Sequence, residues 1–236
     1  MEFADRNVVL TGVGRPGQVG EAVALAFAER GARLVLVDRH AEQARARADA
    51  LVARGHQASA LAADLTDAAT VSTLADRVRT MTNGNIHALV HIAGGFSMSG
   101  TVADSDPDEW TRLFAINATT TYLVARAFVP LLRVTRGSLV CFASEAVLPG
   151  ARVGGRAAYA AAKSAVVVLV RAIAEEERAT GVRANAIAPS TIRTADNLAA
   201  MGEGSPMVSR EAVADAVCWL SSEAARAVSG QLIAVR

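Results

Sequence analysis

Short apolar runs alternate with longer stretches of helical spacing along the whole chain, and this alternation predicts the fold. Residues 7–10 are apolar and end in Thr11-Gly12; beyond a glycine-rich stretch, residues 19–30 carry apolar side chains three and four positions apart. Strand, loop and helix are the elements such a pattern specifies. Gly31 marks the helix end, residues 33–37 read as a continuous buried strand closed by Asp38, and residues 41–54 predict a second helix. The rhythm persists, with strands expected over 57–62, 88–91, 138–144, 183–188 and 231–235. Helices are expected over 68–81, from Asp106-Pro107 to about residue 133, and from 157 to about 179. Alternation of this density predicts an α/β, Rossmann-type doubly wound parallel sheet of about seven strands, helices on both faces and ligands at the carboxyl ends of the strands. No linker or repeat interrupts residues 1–236, so a single domain is expected to hold both cofactor and substrate.

Composition narrows the class. A chain of 236 residues that is 52% hydrophobic can bury a sizeable core, which excludes a disordered protein. The formal net charge of +1 offers no basic surplus for nucleic acid, so a small-molecule partner is expected. Cys141 and Cys218 both lie in apolar surroundings, which points to buried, reduced thiols and to no metal site. Residues 1–6 are short and charged, and no apolar run is expected to reach the roughly 18 residues of a membrane span. A cytoplasmic protein without membrane contact is the expectation.

Two stretches carry candidate chemistry. Gly12, Gly14 and Gly17 fit G-x-G-x-x-G, followed by Gly20, between a predicted strand and a predicted helix. Glycines let backbone N–H groups approach a pyrophosphate, and the helix start adds partial positive charge; a merely tight turn is the plainer reading. Asp38, ending the second strand, can accept hydrogen bonds from a ribose diol and would repel a 2′-phosphate, which favours NAD. Arg15 and Arg39 keep NADP open. In the second stretch, the apolar strand Leu139 to Ala143 delivers Ser144, and a helix presents Tyr159 and Lys163 one turn apart on one face. Among 24 basic residues Lys163 is the only lysine, which makes a merely solvated role its weakest explanation.

Together with Asp64-Leu65, Ala93-Gly94, Asn117 and Pro189 to Thr194, these residues make the chain resemble the short-chain dehydrogenase/reductase family, in particular its 3-oxoacyl-reductase-like members. The resemblance covers essentially the whole chain. It implies an NAD(P)-dependent oxidoreductase with Asp64 and Leu65 near the adenine, Ala93 and Gly94 lining the cofactor, and Ile192 and Thr194 near the nicotinamide amide. It also implies that Lys163 holds the nicotinamide ribose, that a helix distortion at Asn117 holds a relay water, and that a homotetramer or homodimer forms through the long helices. Without it, Asn117 reads as a capping or solvent-facing amide. The stretch 157–170, apolar on nearly every face, is compatible with burial between subunits.

The mechanism can also be argued from charge. A carbonyl that accepts hydride needs a proton, which Tyr159 can supply, and in reverse its phenolate removes one. Working near neutrality asks for a shift of about three units, about 4 kcal/mol. A cation about 4 Å away supplies that much at an effective dielectric near 20, so Lys163, assisted by a positively charged nicotinamide, is expected to lower Tyr159. Ser144 is expected to hydrogen-bond the substrate oxygen.

Several positions depart from the family pattern. The glycine loop is two residues longer than usual, with Gln18 where a glycine is expected. His91 stands in place of an asparagine and reads as structural, Ser190 replaces a glycine, and Ser144 precedes Tyr159 by 15 residues, with extra length around residues 151–156. Residues 190–210 form the expected substrate-loop region, short and polar, with Gly202 and Gly204 for mobility. Phe96, Met98, Leu148, Val153 and Met201 are candidates for an apolar pocket lining. An enzyme interconverting a secondary alcohol and a ketone is the main reading. A catalytically weak nucleotide-binding or scaffold protein of the same fold is the alternative.

Overall fold

The computed structural model describes residues 1–236. In chain order it contains β1 (Asn7–Thr11), α1 (Val19–Glu29), β2 (Arg33–Asp38), α2 (Ala41–Val52), β3 (Gln57–Ala62), α3 (Ala68–Met81) and β4 (Ala88–His91). There follow α4 (Pro107–Phe114), a π-helical turn over Ala115–Thr119, α5 (Thr120–Thr135), β5 (Ser138–Phe142), α6 (Ala157–Glu176), β6 (Arg183–Pro189), α7 (Ala195–Met201), α8 (Arg210–Ser221) and β7 (Leu232–Val235). All seven strands form one parallel sheet in the order β3-β2-β1-β4-β5-β6-β7. The order reverses between β1 and β4, and that crevice is where a doubly wound sheet binds its ligand.

Strand pleating divides the core between the two faces. Val9, Val35, Leu89 and Leu139 point to one face, where Val71, Val124, Phe128, Val166 and Val170 from α3, α5 and α6 cover them. Leu10, Leu34, Val90 and Val140 point to the other, beneath Val23 and Phe27 of α1, Leu51 of α2 and Val213 and Val217 of α8. Burial on both faces explains why the strands are near-continuous apolar runs. Each fully buried Leu or Phe contributes roughly 1.5–3 kcal/mol.

The helices begin and end where local chemistry directs. Asp67 accepts the Thr70 N–H at the start of α3, Asp106 caps α4 just ahead of Pro107, and Gly31 takes φ 91° beyond α1. The helical region from Pro107 widens into the π turn around Asn117, where the resemblance implies a helix distortion. Two expectations need correction. The stretch after β6 contains the helix α7, whose start Thr194 caps by accepting from Asn197. Finally, α6 is 20 residues long with mean hydropathy 1.6, long and apolar enough by composition to cross a membrane. Its alanine and valine content produces that value, yet Val166, Val170 and Ile173 pack on the sheet and Lys163 is buried within it.

Candidate active site

Ser144, Tyr159 and Lys163 converge at the carboxyl edge of β5. Ser144 lies two residues beyond β5 in extended backbone, and its Oγ accepts the Ala146 N–H at 3.2 Å, opening a short 3₁₀ turn over Glu145–Val147. Tyr159 and Lys163 lie in the first two turns of α6, with Lys163 Nζ 6.0 Å from the centre of the Tyr159 ring. Lys163 is only 5% exposed, and its ammonium donates to the Phe142 carbonyl at 2.7 Å. Burial lowers Lys163 from 10.5 to about 8. Tyr159 moves against expectation. Burial raises its phenol above the usual value, partly offset by the Ser144 hydroxyl and the nearby Arg156, while Glu145 adds to the rise. The phenol is therefore protonated through neutral pH.

Asn117 is 1% exposed, which excludes the solvent-facing reading. Its Oδ1 accepts the Gly95 N–H at 3.1 Å and its Nδ2 donates to the Gly95 carbonyl at 3.0 Å and the Leu113 carbonyl at 2.9 Å. The side-chain amide is thus committed to the segment after β4. Its backbone carbonyl accepts the Thr121 hydroxyl at 2.6 Å. Thr120 and Thr121, two buried hydroxyls in an apolar helix, went unnoticed in sequence; their position directly after Asn117 was the available signal.

The glycine loop is shaped by close approach. A Cβ at Gly12 would lie 2.6 Å from the Ala93 N, one at Gly20 2.4 Å from the Gly12 O, and one at Gly94 2.6 Å from Asn117 Oδ1 and 3.2 Å from Lys163 Nζ. Gly12 and Gly17 have φ of 77° and 71°. The Gly14 N–H donates to Asp38 Oδ2 at 2.9 Å, so the loop itself orients this carboxylate. Gly17 N–H donates to Glu21 at 2.7 Å, and Glu21 in turn pairs with Arg47 and Arg210. Gln18 takes φ −101° as the N-cap of α1 and Ser190 has no positive φ, so neither departure from glycine strains the backbone. Arg15 pairs with Asp196, and the Gly17 carbonyl accepts the Ala195 N–H at 3.0 Å, joining the loop to α7.

The remaining expected cofactor residues are dispersed along the same edge. Asp64 is exposed, its carboxylate lowered by bonds from the Thr66 hydroxyl and N–H, while Leu65 is 7% exposed in the core. Ile192 forms an isolated bridge with Val208, and Thr194 is buried as the α7 cap. Phe96 meets Tyr159 edge-on with centroids 5.0 Å apart, and Ser99 N–H donates to the Gly155 carbonyl, which brings residues 96–99 beside the loop at 151–156. Phe96, Met98, Val153 and Met201 are exposed and Leu148 partly so.

A parallel sheet with a glycine-cradled crevice beside Tyr, Lys and Ser at its carboxyl edge defines a Rossmann-type oxidoreductase. Residues 12–236 match the family described as enoyl-(acyl carrier protein) reductase. The chain is 34% identical to 2-(S)-hydroxypropyl-CoM dehydrogenase 3 of Xanthobacter autotrophicus over 98% of its own length and 95% of that protein. A solved short-chain type dehydrogenase/reductase from Mycobacterium ulcerans matches with a TM-score of 0.91 at 30% identity, over 100% of this chain and 90% of that one. A 3-oxoacyl-[acyl-carrier protein] reductase with bound NAD from Brucella melitensis matches with a TM-score of 0.87 at 28% identity, over 99% and 90%. The chain belongs to the short-chain dehydrogenase/reductase family and is an oxidoreductase.

Proposed function

We propose that the protein interconverts a secondary alcohol and a ketone, with NAD as the favoured cofactor and Tyr159 as the proton donor and acceptor. The observation that carries this reading is the convergence of Ser144, Tyr159 and buried Lys163 on the crevice edge beside Gly94. Gly12, Gly14, Gly17 and Gly20 would form the pyrophosphate turn, since a Cβ at each would collide with Ala93, Asp38 and Gln43, Ala195 or the Gly12 carbonyl and force the turn open. Asp38, already oriented by Gly14, would take the adenosine ribose, and Asp64, Leu65, Ala93, Gly94, Ile192 and Thr194 would line the remainder. The Asp38 carboxylate, held by the Gly14 and His40 N–H groups, supports NAD, while Arg39 beside it keeps a 2′-phosphorylated cofactor open. The cofactor, when bound, supplies or accepts the hydride. Tyr159, protonated by its burial, donates to the developing alkoxide, Ser144 fixes the substrate oxygen, and Lys163 holds the ribose and keeps positive charge beneath the ring. Asn117 fixes Gly95 and the backbone beside the phenol.

Exposed Phe96, Met98, Val153 and Met201 suit an apolar ketone, with residues 190–210 as the substrate loop of one domain spanning 1–236. Tyr122 and Val134 on α5 and Val168 on α6 are exposed apolar residues, which supports a homodimer or homotetramer through these helices. A cytoplasmic location completes the reading. Tyr159→Phe tests the core of it: turnover should fall about a thousandfold with cofactor affinity retained, and full activity on an identified substrate would reject Tyr159. Wild-type protein that binds neither NADH nor NADPH at millimolar concentration would reject the cofactor-dependent reading.

A further inference from the structure

The π turn grips the segment after β4 twice. Asn117 holds its far end through both backbone groups of Gly95. The near end is His91, the last residue of β4, 2% exposed and flanked in register by Thr11 of β1 and Cys141 of β5. Its Nδ1 lies 2.9 Å from the Thr11 hydroxyl, and its Nε2 lies 3.3 Å from the Thr120 hydroxyl at the end of the π turn. Between the two grips lie Ile92, Ala93 and Gly94, with Ala93 against Gly12 and Gly94 against Lys163 Nζ.

Donor counting fixes the protons. A threonine hydroxyl has one proton, and that of Thr120 goes to the Ile116 carbonyl at 2.9 Å, the shorter of its contacts. Thr120 therefore accepts from His91, which places the imidazole proton on Nε2. Nδ1 is then an acceptor, and Thr11, with no other partner, donates to it. A charged imidazole would face Thr11 with a second donor and disrupt this order. Burial and the neighbouring Lys163 cation hold His91 down at about 3, so it stays neutral.

We propose that His91, as the neutral Nε2–H tautomer, is a positioning residue that ties the end of β1 to the π turn and so fixes Ala93 and Gly94 as the cofactor wall. The role rests on the oxidoreductase reading above. It goes beyond a contact between strands, because one ring nitrogen meets Thr11 of β1 and the other meets Thr120 at the end of the π turn.

Nitrogen-15 NMR of the imidazole in the intact protein reads the tautomer without any turnover. A protonated Nε2 and a bare Nδ1 at neutral pH are expected; the reverse assignment, or a charged ring, overturns the proposal. A double-mutant cycle then reads the coupling in NADH affinity, measured well below Tm. His91→Asn and Thr120→Val are each expected to raise the cofactor Kd about tenfold, and the double variant no further than either alone. Multiplicative losses in the double variant, or single variants that lower Tm while leaving Kd unchanged, overturn it, since those are the results of a purely structural histidine. Wild-type protein that binds neither NADH nor NADPH would instead reject the cofactor-dependent reading, and the tautomer measurement would still decide the proton order at His91.

Discussion

The glycine loop and the Ser144–Lys163 stretch meet at one edge of the sheet and are held in opposite ways. The loop is built from backbone: Gly14 and Gly17 give their N–H groups to Asp38 and Glu21, and Gly20 lies against the Gly12 carbonyl. Its sequence is the irregular part of the family match, yet no residue in it is forced into an unfavourable φ except by glycine. The Ser144–Lys163 stretch keeps the family's side chains across a longer interval, but its chemistry depends on side-chain burial, which raises Tyr159 and lowers Lys163. Backbone sites thus fail through volume, and side-chain sites through lost charge or lost protons.

Breaking the second site should have the larger effect. Lys163→Met is expected to lower kcat about a thousandfold, and it should also remove a pH dependence of stability. Lys163 titrates near 8 in the fold and near 10.5 when free. Between these values the unfolded chain binds a proton that the folded chain does not, so Lys163 contributes stability that rises with pH across that window. Below it, the buried charge costs roughly 3 kcal/mol. Buried Cys141 and Cys218, pushed up to about 12, give both proteins the opposite slope above about pH 9. Denaturant melts from pH 7 to 10 should show wild type gaining stability relative to the variant; parallel curves would mean that Lys163 is not desolvated.

On the backbone side, Gly20→Ala places a Cβ 2.4 Å from the Gly12 carbonyl and 2.8 Å from the Val13 Cα, neither of which is a flexible neighbour. A loss of about 2 kcal/mol is expected, a fall in Tm of about 4–8 °C, with weaker cofactor binding. An unchanged Tm and Kd would show that the loop yields freely. Asp38→Ala joins the two kinds of site, since its carboxylate is a side chain positioned by the Gly14 and His40 N–H groups. NADH affinity should fall about tenfold, the size of a lost charge-assisted hydrogen bond, and the NADH/NADPH preference should narrow. Equal losses for both cofactors would remove Asp38 from the 2′ position. The smallest effect is expected from Asp196→Ala, which breaks an ion pair with both side chains more than half exposed. Exposed pairs contribute under about 1 kcal/mol, so Tm should move by less than about 3 °C; a tenfold loss of cofactor affinity would instead mark the Arg15–Asp196 contact as a clasp on the crevice.

The strands and most helices were legible because their apolar periods are strong and their caps local. The π turn was legible only through the family resemblance, which implies a distortion at Asn117, since its cause is tertiary: Asn117 accepts from the Gly95 N–H and donates to the Gly95 carbonyl, 22 residues away. The helix α7 was hidden inside a polar stretch flanked by glycine, and its start depends on Thr194 and on the contact with Gly17. His91 was visible as an oddity but not as a bridge, because Thr11 and Thr120 reach it only through strand pairing and helix placement.

By itself, then, the sequence determined the alternating α/β order, the glycine-bearing first turn and the pairing of Tyr159 with the chain's only lysine, all of which are written in local period and spacing. Only the tertiary structure decided the ionisation of that pair. Burial sets the proton affinities, raising the phenol and lowering the ammonium, and it depends on which strands and helices the fold packs around the two side chains.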